Sequence, residues 1–250
     1  GIKNVPVAVR SSATVEDSSR TSCAGLHKTF LWVRGEENVI SRIIDCWSSL
    51  FDPQALEYRL KMGLPIKTSM AVFVQQMVNP RVSGVMFTAD AVNRDLSKII
   101  IEATWGLGEV LVSGKVVPDR FIVDKISLEL LRSEIGYKSI EEVYDEERCL
   151  LAINEVPASR RQIVALKSEE VLELAKIGKE VERIFGAPQD IEWAIQKDST
   201  DIYIIQTRPI TTMAKKFSER GYLTSSKSCD PLDLVVTVLK KGIRIQREGV

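Results

Sequence analysis

Apolar residues along this chain recur mostly at every second position in short runs, or form brief continuous apolar stretches. Both are strand patterns. The runs are VPVAVR (5–10), TFLWV (29–33), MAVFVQQMV (70–78), SGVMFTAD (83–90), KIIIEATW (98–105), DRFIVDK (119–125), QDIEWAIQ (189–196) and DIYIIQTR (201–208). Only NPRV separates 70–78 from 83–90, and only KDST separates 189–196 from 201–208. Each pair predicts a hairpin.

A longer period marks the helices. ENVISRIIDCWSSLF (37–51) collects Val39, Ile40, Ile43, Ile44, Trp47 and Leu50 on one face. Pro53 starts a second helix, PQALEYRLKMG (53–63), and Gly63 closes it. SEEVLELAKIGKEVERIFG (168–186) opens with Ser168 and two glutamates that complement the helix dipole, and Gly186 with Pro188 beyond it stops the helix. Residues 126–166 are mixed and predict no definite element. After Pro209 the character changes to a linker, one apolar strand at 234–239 and a basic end. Strands outnumber helices, and neighbouring strands look hairpin-linked. That predicts an α+β fold, a mostly antiparallel sheet with flanking helices, over a doubly wound one.

Composition narrows the function classes. The 250 residues are 44% hydrophobic, enough for a sizeable core, and carry 34 basic and 34 acidic side chains for a net charge of zero. Neither a net basic field nor a basic stripe marks a nucleic-acid partner. No apolar run approaches the roughly 20 residues that span a bilayer, so no membrane partner is expected. Cys23, Cys46, Cys149 and Cys229 lie far apart, and a single histidine, His27, cannot complete a Cys/His zinc set. Incidental thiols fit a reducing compartment, so a cytoplasmic location is expected. The first residue is not methionine and a strand starts almost at once. A fragment of a longer chain is the expectation.

Three stretches offer chemistry. The first strand runs into Arg10 and then SSATVEDSSRTSCAG, a loop of hydroxyls and small residues that suits either an anion beneath it or a solvated turn. In DIEW (190–193), the strand period puts Asp190 and Glu192 on one face and turns Ile191 and Trp193 to the other. Close carboxylates repel unless a cation neutralises them, and hard oxygen ligands suit Mg²⁺; an exposed strand face is the other reading. IIQTRP adds Gln206 and Arg208 on one face by the same period. If the two strands pair, the face shows acid, acid, amide and guanidinium. It could hold a triphosphate tail, or be a salt-bridged surface. EATWGLGE (102–109) has a lone G-x-G without the third glycine of a dinucleotide site, and no helix clearly follows, so a plain turn is expected. His27 lacks a spaced partner for a metal or catalytic role.

These motifs stand in a familiar order. VRSSATVEDSSRTSCAGLHKTFLWV resembles the VRSSATAED…SFAGQ…TYLNV signature of the ATP-binding domain of phosphoenolpyruvate synthase and pyruvate, phosphate dikinase. Rifampin phosphotransferase and phenylphosphate synthase carry the same domain type. VFVQQMV, SGVMFTAD, EATWGLGEVLVSGKVVPDRFIV and DIEWAI…IYIIQTRPIT are similar to later family motifs, and the resemblance covers about residues 5–212.

The resemblance implies an ATP-grasp fold at residues 1–212, with 213–250 a linker and extension. It implies ATP and Mg²⁺ as ligands. Arg10 would touch the phosphates, with Gly25 and Thr29 beside the phosphate tail. Gln75 lies on the segment that contacts adenine, and Glu102 near the ribose or phosphates. Asp190 and Glu192 would hold Mg²⁺, and Gln206 and Arg208 would bind the β- and γ-phosphates. Arg10 and Arg208 are the implied catalytic groups. The reaction implied passes a phosphoryl or pyrophosphoryl group to a histidine on another domain or subunit, with a small acceptor such as pyruvate handled elsewhere. Family members carry a lysine-bearing segment before VRSSA and a separate histidine domain. Neither is found in this sequence, so an N-terminally incomplete fold and an inactive isolated chain are expected. A non-catalytic nucleotide-binding or regulatory subunit is the alternative.

Overall fold

The computed structural model describes residues 4–13, 17, 18, 21, 22, 28–66 and 68–210. The strand expected at 234–239, Gly25, His27, Cys23 and Cys229 lie outside the described residues.

The chain opens with β1 (Val7–Ala13), a small ribbon of β2 (Asp17–Ser18) and β3 (Thr21–Ser22), and β4 (Thr29–Val33). Next come α1 (Glu36–Ser48), a 3₁₀ turn at Ser49–Phe51, and α2 (Pro53–Lys61). β5 (Met70–Gln76) joins β1 and β4 in a three-stranded sheet of order β4-β1-β5. The second part contains β6 (Pro80–Phe87), β7 (Lys98–Trp105), the single turn α3 (Glu109–Val112), β8 (Asp119–Asp124) and β9 (Leu130–Glu134). A ribbon of β10 (Ile140–Asp145) and β11 (Leu150–Glu155) follows, then α4 (Ser168–Phe185), β12 (Gln189–Gln196) and β13 (Ile202–Pro209). The large sheet has the order β13-β12-β6-β7-β8-β9, and every ladder between named strands is antiparallel. The α+β class with antiparallel sheets is therefore as the patterning predicts.

The main core lies between one face of the large sheet and α4. Alternation turns Met86, Ile101, Phe121, Ile191 and Trp193 into it. Val171, Leu174, Ala175, Gly178 and Val181 come from α4 at helical spacing. Gly178 permits the close approach, because a Cβ there would stand 2.9 Å from the Met86 sulfur. At the helix start, the Lys167 N–H donates to the Glu170 carboxylate at 2.8 Å; at its end Gly186 adopts the left-handed conformation, φ 68°. A smaller core joins Val9, Val33 and Cys46 with Phe30, Val39 and Ile43, so α1 covers one face of the three-stranded sheet.

Four expectations need correction. Strands 70–78 and 83–90 do not form a hairpin: β5 pairs with β1, while β6 lies between β12 and β7. NPRV supplies none of the Gly or Asn-Gly geometry of a tight hairpin turn. The chain crosses at 77–79 from one sheet to the other, held by Met77 N–H to the Pro6 carbonyl and Lys197 N–H to the Asn79 carbonyl. Second, the apolar face of α1 is split: Val39, Ile43 and Leu50 turn inward, but Ile40, Ile44 and Trp47 are about half exposed. Third, a short helix, α3, does follow the G-x-G turn. Finally, residues 126–166 hold three strands, β9 to β11.

Candidate functional site

The free face of the large sheet forms one wall of an open cleft of about 1590 Å³. On β12, Ile191, Trp193 and Ile195 enter the core, so Asp190 and Glu192 face the cleft. Simple alternation on β13 would put Ile202, Ile204, Gln206 and Arg208 on one face. Ile202 and Ile204 instead pack on the core, while Gln206 and Arg208 line the cleft. The cause is a bulge. Glu192 lies opposite Gln206 and Trp193 opposite Ile204, which leaves Ile205 without a residue facing it on β12. One extra residue reverses the facing of everything beyond it.

The three-stranded sheet forms the other wall. Val7 and Val9 point toward α1, and Ala8 and Arg10 toward the cleft. Gln75 is the partner of Ala8, and Thr29 the partner of Arg10, so both also line the cleft. Arg10 reaches across the gap. Its Nη2 lies 3.2 Å from Glu192 Oε2 and also donates to Gln206 Oε1. Arg208 Nη2 stands 3.8 Å from the other Glu192 oxygen. The Glu192 carboxylate thus lies between two guanidinium groups, one from each sheet. Nearby, Gln75 Nε2 donates to the Ile205 carbonyl at 3.1 Å.

Glu102 belongs to the same row of the sheet. Gln206, Glu192, Val85, Glu102 and Arg120 are successive cross-strand partners. Arg120 Nε lies 3.8 Å from Glu102 Oε1. Beyond β7 the chain turns at Gly106, φ 68°, where a Cβ would collide with the Glu142 carbonyl. The Leu107 N–H then donates to that carbonyl at 2.8 Å, seating Leu107, Gly108 and Glu109 on the cleft rim. Eight of the nine residues singled out in the sequence thus line one cleft: Arg10, Thr29, Gln75, Glu102, Asp190, Glu192, Gln206 and Arg208. Gly25, the ninth, lies outside the described residues.

Sequence reasoning missed the far rim. Trp32 stacks on Tyr144 with ring centroids 4.6 Å apart, and Arg34 lies over the same ring. Trp32 gets there through a bulge in β4 and a φ of 57°. Tyr144 sits on the unpredicted ribbon β10-β11. The available signal was DEER, where the Asp145 side chain accepts from the Glu147 and Arg148 N–H groups and makes the hairpin turn.

The electrostatics of the wall are unbalanced at one point. Burial pushes the Asp190 carboxyl above its ordinary pKa; Arg208 pulls it down and Glu192 pushes it up further. Asp190 and Glu192 are two hard oxygen donors one pleat apart. Among the described residues no group of three or more His, Cys, Asp or Glu forms a metal cage. Such a donor pair suits Mg²⁺, which keeps several waters and takes phosphate oxygens beside one or two carboxylates.

Comparison with known proteins decides the family. A family model for the pyruvate phosphate dikinase AMP/ATP-binding domain matches residues 1–227.

The chain belongs to that family.

As an AMP/ATP-binding domain, it is also similar to curated proteins. It is 41% identical over 244 residues to a probable phosphoenolpyruvate synthase of Methanocaldococcus jannaschii, covering 97% of this chain and 20% of that protein. It is 41% identical over 224 residues to the phosphoenolpyruvate synthase of Pyrococcus furiosus, covering 86% of this chain and 27% of that protein. For the phosphoenolpyruvate synthase of Aeropyrum pernix the identity is 41% over 246 residues, 88% of this chain and 30% of that protein. The AMP/ATP-binding domain therefore spans between about a fifth and a third of the length of the relatives it matches. Among its described residues, no helix is long and apolar enough to cross a membrane.

Proposed function

We propose that the cleft binds Mg-ATP in an ATP-grasp arrangement, and that the chain is the nucleotide-binding part of a phosphoenolpyruvate-synthase-like phosphotransferase. One observation carries the reading: the side chains of Arg10, Glu192, Gln206 and Arg208, from two separate sheets, converge at a single point of the cleft. A guanidinium fork is matched to phosphate oxygens, and two such forks with an amide suit a polyphosphate tail. Asp190 and Glu192 would hold Mg²⁺. When bound, the ion would neutralise charge that develops on the transferred phosphoryl group.

The protein's own share is positioning. Arg10 and Arg208 bind and orient the β- and γ-phosphates from opposite walls, and Gln206 fixes their angle. Glu102, held by Arg120, lies within the same wall and would meet the ribose or the phosphates. Such prearranged charges stabilise a phosphoryl-transfer transition state without rearranging during the step. The acceptor of the group would be a histidine on another domain or subunit, with a small acceptor such as pyruvate handled there. The setting would be the cytoplasm.

Calorimetry of the chain with ATP, with and without Mg²⁺, tests the reading. Saturable binding that requires Mg²⁺ is expected. Binding that is equal without the ion, or no heat at millimolar ATP, rejects it.

A further inference from the structure

The bulge at Ile205 decides which side chains of β13 reach the cleft, and it is held from outside its own sheet. Toward Asp201, Ile202 and Ile204 are core residues; toward Pro209, Gln206 and Arg208 face the cleft. A β13 without the extra residue would turn either the isoleucines out or the amide and guanidinium in. No residue of β12 faces Ile205. The group that meets its carbonyl is the Gln75 amide, 3.1 Å away, on β5 of the other sheet. Gln75 is itself fixed by the β1–β5 ladder opposite Ala8, two residues from Arg10. This hydrogen bond, beside the one from Arg10 to Gln206, therefore links the strand that carries Arg208 to the sheet that carries Arg10.

We infer that Gln75 is a positioning residue for the phosphate-facing groups: it pins the Ile205 bulge and so sets Gln206 and Arg208 against Arg10. This rests on the reading of the cleft as a polyphosphate site, and it concerns the phosphate end of the ligand rather than its base. Bulges near binding sites re-aim side chains, and a part-buried carbonyl that loses this donor carries a cost that favours local rearrangement. Loss of the Gln75 donor lets the bulge migrate or flatten. Gln206 and Arg208 then lose their common facing with Glu192.

The test uses the full chain and three probes, each with Mg²⁺: ATP, GTP and inorganic triphosphate, which has no base. Gln75→Met, matched in length and lacking a donor, is expected to weaken all three by the same factor. That factor should be about three- to tenfold, the size of one net hydrogen bond. Amide exchange at 205–208 should speed up more than at strands away from the bulge, and Gln75→Lys, which restores a donor, should recover part of both effects. Weaker ATP with unchanged inorganic triphosphate would make Gln75 a base contact and overturn the inference. Unchanged affinity for all three, or unchanged exchange at 205–208, would overturn it as well. A wild-type chain that binds none of the probes defeats the polyphosphate reading instead, and exchange still decides whether Gln75 holds the bulge.

Discussion

Asp190 lies directly opposite Arg208 on the β12–β13 pair, yet its carboxyl is held above its ordinary pKa. Burial outweighs the guanidinium across the ladder, and Glu192 one pleat away adds repulsion. The folded state therefore keeps a proton on Asp190 at pH values where the unfolded chain has released it. In that window the native state binds more protons, so stability falls as pH rises from the unfolded value near 3.9 through the raised folded value. Asp190→Asn should match the wild type in melting temperature near pH 4 and exceed it at pH 8. Mg²⁺ with ATP should raise the wild-type melting temperature and have much less effect on the variant. A gap that does not widen with pH would reject this account of Asp190.

Arg208 gives a prediction about affinity. Its side chain is partly exposed and 3.8 Å from Glu192, so it is free to turn its fork to a ligand. Hydrogen bonds to charged groups contribute about 1.5–3 kcal/mol. Arg208→Ala should weaken Mg-ATP roughly 10- to 150-fold in calorimetry, since about 1.4 kcal/mol is tenfold. Arg208→Lys should recover only part, because a point charge lacks the planar fork. Equal affinity for variant and wild type would remove Arg208 from the site.

The cleft was legible in the sequence to the extent that it follows strand alternation. Asp190, Glu192 and their core-facing neighbours Ile191 and Trp193 obey a period of two, and the structure keeps that period. Gln206 and Arg208 share a face for the same reason, but their facing relative to Ile204 does not follow, because a bulge adds a residue that alternation cannot register. The β5–β6 hairpin failed on another ground. Pairing between strands near in sequence is a tendency, and the partner of each strand is chosen by which face needs covering. Tyr144 escaped because β10 and β11 are half-exposed ribbons with weak contrast between their faces. The meeting of Arg10 with Glu192 is a contact over 182 residues, and no local pattern contains it.

Away from the cleft, Lys138 and Asp119 form a fully buried ion pair. Asp119 also accepts from the Gly136 N–H at 2.9 Å and the Ala165 N–H at 2.7 Å. It thereby ties the start of β8 to the segments before β10 and α4. Lys138→Met removes the cation and leaves a buried carboxylate with two amide donors. Breaking one side of such a pair costs about 3–5 kcal/mol, and the remaining donors argue for the lower end. The exposed pair Lys61 and Glu57 should contribute less than about 1 kcal/mol by comparison. Urea denaturation of Lys138→Met and Lys61→Met measures both. Similar losses in the two variants would contradict the buried pair's role.

Gly106 and Gly114 provide a matched comparison of backbone strain with collision. Both have left-handed backbone, φ 68° and 69°. A Cβ at Gly114 meets nothing within 4 Å, whereas at Gly106 it strikes the Glu142 carbonyl. An L-residue in this conformation costs about 1–2 kcal/mol, and both alanine variants should show that loss. Gly106→Ala must in addition move β7 away from β10, because backbone cannot yield as a side-chain tip can. That shift pulls on Leu107, whose N–H bonds the same carbonyl, and so on the cleft rim at Gly108 and Glu109. Gly106→Ala should therefore be the less stable of the two in urea denaturation and should also weaken Mg-ATP, while Gly114→Ala keeps its affinity. Equal stability losses, or an unchanged affinity in Gly106→Ala, would separate this turn from the cleft.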